Sequence, residues 1–403
     1  MADHTPAERL HGLDALRGGA LLLGVVLHAA MAYLTLPVWP VGDAASEPAA
    51  DALFFGIHLF RMSAFFLIAG LFGHMLLSRR GWGGFIRDRL SRIALPLVVF
   101  WPLVFAGIIA VILWKAALAN GGTLPTGGTP PPPLTVETFP LTHLWFLWVL
   151  LILYVGLLAL RAVVALNRSG LLGRTLDRTA GGAIGLWSPA LFAAPLALVL
   201  SATPDWYAFF GVPTPDYGPV PNAAALTAFG LAFLAGVFLD RRRDLLKRLE
   251  RAWAPLSLVA VLSGVAAYVA TGGSAPVLEP IEGQAKVIAA WTYALALFAS
   301  TFAVTALALR FASGHSRLRH YLADASYWTY IVHLPLVMVG HVLLADLAWP
   351  WFAKLAAVTF GVLAVCLITY ELLVRHTFMG RWLNGRAVPW GRPRPAASPL
   401  PAE

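Results

Sequence analysis

The sequence is poor in charge and almost without cysteine. Only 12% of its 403 residues are charged, about half the share of a soluble domain. Together with 23 Phe and 15 Trp, that shortage excludes an ordinary cytosolic enzyme and a disordered chain. The single cysteine, Cys366, excludes an intramolecular disulfide, an iron–sulfur cluster and a zinc ribbon built on thiolates. Several signatures are also missing: a Gly-rich phosphate loop after a strand pattern, heptads, an internal repeat and an appended soluble domain. The histidines are scattered with no ligand pair at i,i+4, so no metal site is supported. The net charge of +9 is not gathered into a nucleic-acid patch.

What is present is apolar. Hydrophobic residues make up 59% of the chain and the mean hydropathy is +0.73. A membrane crossing needs about 20 apolar residues for about 30 Å of hydrocarbon. Ten such stretches are predicted, at 17–36, 52–77, 90–116, 143–166, 184–202, 222–240, 254–271, 285–309, 323–345 and 350–374. A backbone in lipid must satisfy its own hydrogen bonds, and continuous runs do not suit a barrel, so all ten are expected to be helices. Twenty-five of the 29 Lys and Arg fall in alternate connecting segments. The segments between them (37–51, 117–142, 203–221, 272–284 and 346–349) contain no Lys or Arg. Positive charge stays on the cytoplasmic side. The expectation is therefore an all-α polytopic membrane bundle of ten transmembrane helices with both termini cytoplasmic. The first stretch follows a polar lead and reads as a signal anchor rather than a cleaved leader. Residues 1–385 read as one membrane domain and 386–403 as a disordered cytoplasmic tail. The 117–142 loop, with its run Pro130–Pro133, reads as an irregular outer connection.

Ionisable groups inside a span are costly, so each is a functional candidate. Arg17 and His28 are 11 residues apart. At about 100° per residue they lie on one helix face, about 16 Å apart along the axis. Arg17 would sit at the cytoplasmic end and His28 past mid-membrane. A substrate entering from the cytoplasm could keep its anionic part near Arg17 while its reactive end reaches His28. The imidazole could then serve as general base, or be a hydrogen-bonded histidine of the bundle.

Leu13-Asp14-Ala15-Leu16-Arg17-Gly18, then ten residues between Arg17 and His28, resembles the acyltransferase 3 family of integral membrane acyltransferases. Further matches follow in order: Arg61-Met-Ser-Ala-Phe-Phe-Leu-Ile-Ala-Gly70, Arg87-Asp-Arg89-Leu-Ser-Arg92-Ile-Ala-Leu-Pro96, His143-Leu-Trp-Phe-Leu147 and Ser326-Tyr-Trp-Thr-Tyr330-Ile-Val-His333-Leu-Pro335. The set covers about residues 9–385 and is most similar to the branch of the glucans biosynthesis protein C. The resemblance implies a multi-pass protein of the bacterial cytoplasmic membrane, with no permanently bound cofactor. It would pass an acyl group from cytoplasmic acyl-coenzyme A, as co-substrate, to a hydroxyl on a glycan or lipid-linked acceptor. His28 then matches the family's essential histidine, as base or acyl relay, and Arg17 its partner.

The remaining candidates follow from that reading. Asp14 would orient Arg17 or cap the helix. Arg87, Arg89 and Arg92 would meet coenzyme A phosphates or simply fix topology. His58 and Arg61 are i,i+3 neighbours; Arg61 would stabilise an oxyanion, bind an acidic acyl group such as succinyl, or pair with Asp51. Ser326, Tyr330 and His333 form a stripe that would line an acyl or coenzyme A tunnel, or bond between helices. His143 opens a span at the outer surface, near an acceptor or at the interface. His74 and His341 read as structural, and Glu371 with Arg375 as an i,i+4 pair. Asp205, Trp206, Tyr207, Asp216 and Tyr217 would bind sugar or, preferably, form an aromatic belt. Rival readings are a transporter or flippase for an anionic solute, a membrane scaffold, and an N-acetylating enzyme acting on amino sugars.

Overall fold

The computed structural model of the chain describes residues 6–124, 133–167, 169–273 and 275–389. Pro130–Pro132 and the tail from 390 lie outside the described residues. Among the described residues there is no strand, only one antiparallel bridge, Pro140 to Tyr217. The helices are α1 (Pro6–Ala30), α2 (Pro48–Arg89), α3 (Leu95–Ala119), α4 (Trp145–Leu166), α5 (Leu171–Ala183), α6 (Ser188–Ala202), α7 (Ala223–Arg241), α8 (Asp244–Arg251), α9 (Trp253–Ala270), α10 (Gly283–Phe311), α11 (Arg317–Leu344), α12 (Trp351–Thr369) and α13 (Phe378–Asn384).

Eight helical runs among the described residues are long and apolar enough to cross a membrane. One of them, Pro48–Ala119, is 72 residues long. Straight, it would reach about 108 Å, more than three hydrocarbon thicknesses. It is broken at Gly81, where φ is 65° and a side chain would be strained, and a π-helical segment, Leu90–Ala94, follows. The expected spans 52–77 and 90–116 both fall within this run. α5 and α6 meet at 103° and make a ninth candidate only as a bent pair. Here the structure departs from the straight span expected at 184–202: α6 has 15 residues, about 22 Å, too short to cross alone.

Small residues let the helices approach. A Cβ at Gly70 of α2 would meet the Phe233 carbonyl oxygen, and one at Gly236 of α7 the Leu67 carbonyl oxygen, so α2 and α7 pack backbone to backbone. α10 packs against α6 and α9, and α1 against α11 and α2. Where α2 meets α10, the Ser63 and Thr301 hydroxyls lie 2.6 Å apart. Thr301 also bonds back to the Leu297 carbonyl, which satisfies a polar atom inside the apolar core. The lipid-facing surface is apolar, with Val98 of α3 and Phe360 of α12 standing out from the bundle.

An ion pair and a hydrogen bond tie the ends. Glu371 and Arg375 pair at 2.7 Å as expected, and His74 meets Asp240 at 2.7 Å. On the other side, Lys354 Nζ donates to Asp43 at 2.8 Å and to the Ala345 carbonyl at 3.0 Å, with both side chains of the pair buried. Removing one partner of a buried pair leaves the other charge uncompensated and costs about 3–5 kcal/mol. Lys354→Met is therefore expected to lower the thermal midpoint strongly. Lys354→Met combined with Asp43→Asn should recover most of the loss. Two variants that melt alike would show that the pair is not what holds the 37–47 segment.

Candidate active site

The site is built around a proline. Pro335 lies inside α11 and has no N–H to give to the Ile331 carbonyl one turn back. Two imidazoles approach the freed Ile331 carbonyl and the Tyr330 carbonyl beside it. His143 Nε2 lies 2.9 Å from the Tyr330 oxygen and 3.2 Å from that of Ile331. His333 Nδ1 lies 2.8 Å from the Tyr330 oxygen. Carbonyls only accept, so each of these nitrogens carries the hydrogen. The opposite atoms, His143 Nδ1 and His333 Nε2, are buried without a partner. Tyr330 Oη donates back to the His143 carbonyl at 2.8 Å.

His28 completes a row of three rings. Its centroid is 5.2 Å from that of His333, which is 5.0 Å from that of His143. His28 Nδ1 is also buried without a partner. Trp39 stacks on His28 at 6.0 Å and is pinned by donating its Nε1 to His341 Nδ1 at 3.0 Å. His341 in turn bonds the Ala29 carbonyl, the structural role expected for it.

Arg61 lies in the same place. Its Nη1 rests against Gly24, one turn before His28, where a Cβ would collide with it. Asp51, the sequence-suggested partner, does not pair with it. That carboxylate accepts instead from Thr35 N at 3.1 Å and Thr35 Oγ1 at 2.7 Å. Arg61 Nε is buried with no partner. His58 stacks on Phe54 at 5.3 Å. His28, His58, Arg61, His143, Tyr330 and His333 thus line one cavity of about 430 Å³.

A second cavity of about 260 Å³ gathers Arg17, Arg89, Arg92 and Ser326, and Phe146 walls both. Arg17 pairs with Asp14 at 3.2 Å. Arg89 bonds Asp88 at 2.6 Å and the Tyr154 hydroxyl at 3.1 Å, and Arg92 lies 3.5 Å from Asp88. The π-helical segment Leu90–Ala94 carries Arg92, and such segments cluster at functional sites. Its loosened carbonyls are held by side chains: Trp382 Nε1 donates to Ser91 O and Tyr327 Oη to Arg92 O, both at 2.7 Å. Arg87 is exposed and lines neither cavity.

Four sequence expectations change. Asp14 lies well inside α1, which begins at Pro6, so it is not a cap; it holds Arg17 and lines neither cavity. The stripe on α11 divides: Ser326 faces the arginine cavity and turns its hydroxyl to Ala323 O, while Tyr330 and His333 face the histidine cavity. His143 is not at the surface. It is buried against the middle of α11 because the segment leading into α4 descends into the bundle. In the 203–221 loop, Trp206 is fully buried and donates to Gly211 O at 2.6 Å, which removes it from any aromatic belt. Asp216 and Tyr217 of that loop line the histidine cavity together with Trp39 and Thr142. Sequence reasoning noted the first two without choosing them, and nothing in the pattern marked Thr142.

The model of an acyltransferase domain family matches residues 10–371. Curated relatives called glucans biosynthesis protein C, from Salmonella typhimurium and Salmonella typhi, are each 32% identical over 148 residues, 37% of this chain and 38% of the relative. The chain thus spans 38% of the length of the curated relatives it matches. No solved structure matches.

Proposed function

The chain belongs to the acyltransferase family, and from that premise we propose that it moves an acyl group from cytoplasmic acyl-coenzyme A to a hydroxyl of a glycan or other cell-envelope acceptor. The observation that carries this reading is the pair of cavities that share Phe146 as a wall, one lined by arginines and the other by histidines. Phosphate-bearing coenzyme A suits the guanidiniums of Arg17, Arg89 and Arg92. The thioester then points along α1 toward His28. The relatives are glucans biosynthesis proteins, which favours a carbohydrate acceptor. We place the protein in the bacterial cytoplasmic membrane with ten crossings and both termini inside, counting the Pro48–Ala119 run as two and the bent α5–α6 pair as one. Residues 1–385 form the membrane domain.

His28 takes the proton of the acceptor hydroxyl, whose oxygen attacks the thioester carbonyl carbon. The carbonyl electron pair moves onto its oxygen, and Arg61, with no carboxylate of its own, faces that charge. Collapse breaks the C–S bond, and the coenzyme A thiolate leaves with the proton held by His28. His333 acts as positioning residue: its ring lies 5.2 Å from that of His28, and a small rotation would let its unpartnered Nε2 take a hydrogen from His28 Nδ1 and leave the other ring nitrogen for chemistry.

Thermal unfolding of the purified chain with acetyl-, succinyl- and free coenzyme A tests the donor. A ligand at 100 times its dissociation constant adds roughly 2.7 kcal/mol of stability. The expected result is a raised midpoint in wild type that Arg92→Ala loses. If no coenzyme A species shifts the midpoint at millimolar concentration, the acyltransferase reading gives way to transport of an anionic solute.

A further inference from the structure

The mouth of the histidine cavity holds polar atoms that the transfer chemistry leaves unused. Thr142 has φ of 53°, a conformation that a β-branched residue adopts only under constraint. Strain of that kind collects at functional sites. Its Oγ1 is buried with no partner. Asp216 is the one carboxylate among the described residues lining this cavity, and no side-chain donor reaches it among those residues. Burial holds its carboxyl above the usual carboxylate range.

The two are brought together by the backbone. Leu141 N donates to Asp216 O at 2.7 Å and Gly218 N to Phe139 O at 3.0 Å, around the Pro140–Tyr217 bridge. Two tryptophans pin this clasp to the bundle: Trp101 Nε1 donates to Pro140 O and Trp148 Nε1 to Pro219 O, each at 2.7 Å. Thr142 is therefore held on a fixed frame beside the strand-like pair, one residue from His143. Tyr217 lines the mouth yet is 62% exposed, and Trp39 reaches from the mouth to the His28 ring.

A carboxyl that no side chain occupies, bonded only by its own backbone N–H, an unused hydroxyl and an open aromatic face suit a molecule with hydroxyls on adjacent carbons and an apolar C–H face. We propose that Thr142, Asp216 and Tyr217 form the acceptor subsite, which takes a carbohydrate by two neighbouring hydroxyls. The carboxylate accepts from one hydroxyl, Thr142 Oγ1 exchanges a hydrogen bond with the next, and the tyrosine ring covers the sugar face. This rests on the acyltransferase reading for what the bound sugar is used for, and it adds which residues choose it.

Binding of gluco-, galacto- and manno-trisaccharides to the full chain in detergent, followed by tryptophan fluorescence, tests the subsite. 1,6-Hexanediol, whose hydroxyls are not adjacent, is the control. At least one trisaccharide should bind saturably and the diol should not. Asp216→Asn, which keeps the shape, should weaken binding about tenfold or more, as expected when a partly buried charged hydrogen bond is lost. Thr142→Gly, which tolerates the positive φ, should also weaken it. Both variants should melt like wild type and keep the coenzyme A shift. Unchanged sugar binding in both variants, equal binding of the diol, or no trisaccharide binding to wild type overturns the subsite. The coenzyme A shift is read separately, so loss of the donor reading is distinguishable from loss of the subsite.

Discussion

Replacing His28 with Ala is expected to lower acyl transfer by about 10²–10⁴-fold, the contribution of a positioned proton-transfer group, while the stabilisation by coenzyme A stays as in wild type. The two readouts separate because the cavities separate. His28 lines the histidine cavity and Arg17, Arg89 and Arg92 the other. The geometry also ranks its neighbours. His333→Leu removes the acceptor from the ring beside His28 but leaves the base in place, so its loss should be smaller and should appear in kcat rather than in the KM for the donor. His143→Gln should fall between folding and catalysis, since His143 Nε2 joins α4 to the Tyr330 and Ile331 carbonyls. A His28→Ala enzyme that transfers acyl groups at the wild-type rate would remove the histidine from the chemistry.

Much of this was legible because helices repeat. Arg17 and His28 share a face at a spacing of 11, so their separation along α1 followed from helix geometry alone. Glu371 and Arg375 followed in the same way. The apolar runs and the one-sided placement of arginines marked most of the crossing helices. Contacts between distant segments were not legible. Asp51 looked like the partner of Arg61, ten residues on, but Thr35 reaches it first from the turn after α1. His143 looked superficial because loops usually run over the surface. The Tyr330 and Ile331 carbonyls hold it inward instead, and the second of them has lost its helical donor to Pro335, 192 positions after His143 in the chain. A kinked backbone makes acceptors that no local pattern announces. The strain at Thr142 and the clasp to Asp216 likewise depend on two loops meeting. A span read at 184–202 became a short helix because the chain turns 103° between α5 and α6.

Arg61→Met carries the second large effect, and its two readouts are expected to diverge. A partly buried guanidinium without a carboxylate partner among the described residues gives the folded state little, because taking a charge out of water is costly unless it is paired. A methionine of similar length should therefore leave the thermal midpoint unchanged or raise it. Transfer should meanwhile fall about 10²–10³-fold, the loss seen when one donor to a developing oxyanion is removed. Arg61→Lys should not rescue it, since a point charge does not reproduce the planar fork. Gly24→Ala offers the same test without touching the charge. Its Cβ would displace Nη1, so the guanidinium must swing away from the space beside His333 and His28. Turnover should drop while the arginine remains. A structural arginine would behave the other way, with Arg61→Met melting earlier and transferring acyl groups in proportion to the folded fraction. The diverging result would place the cation in the reaction, because there it meets the negative charge that the protein itself withholds.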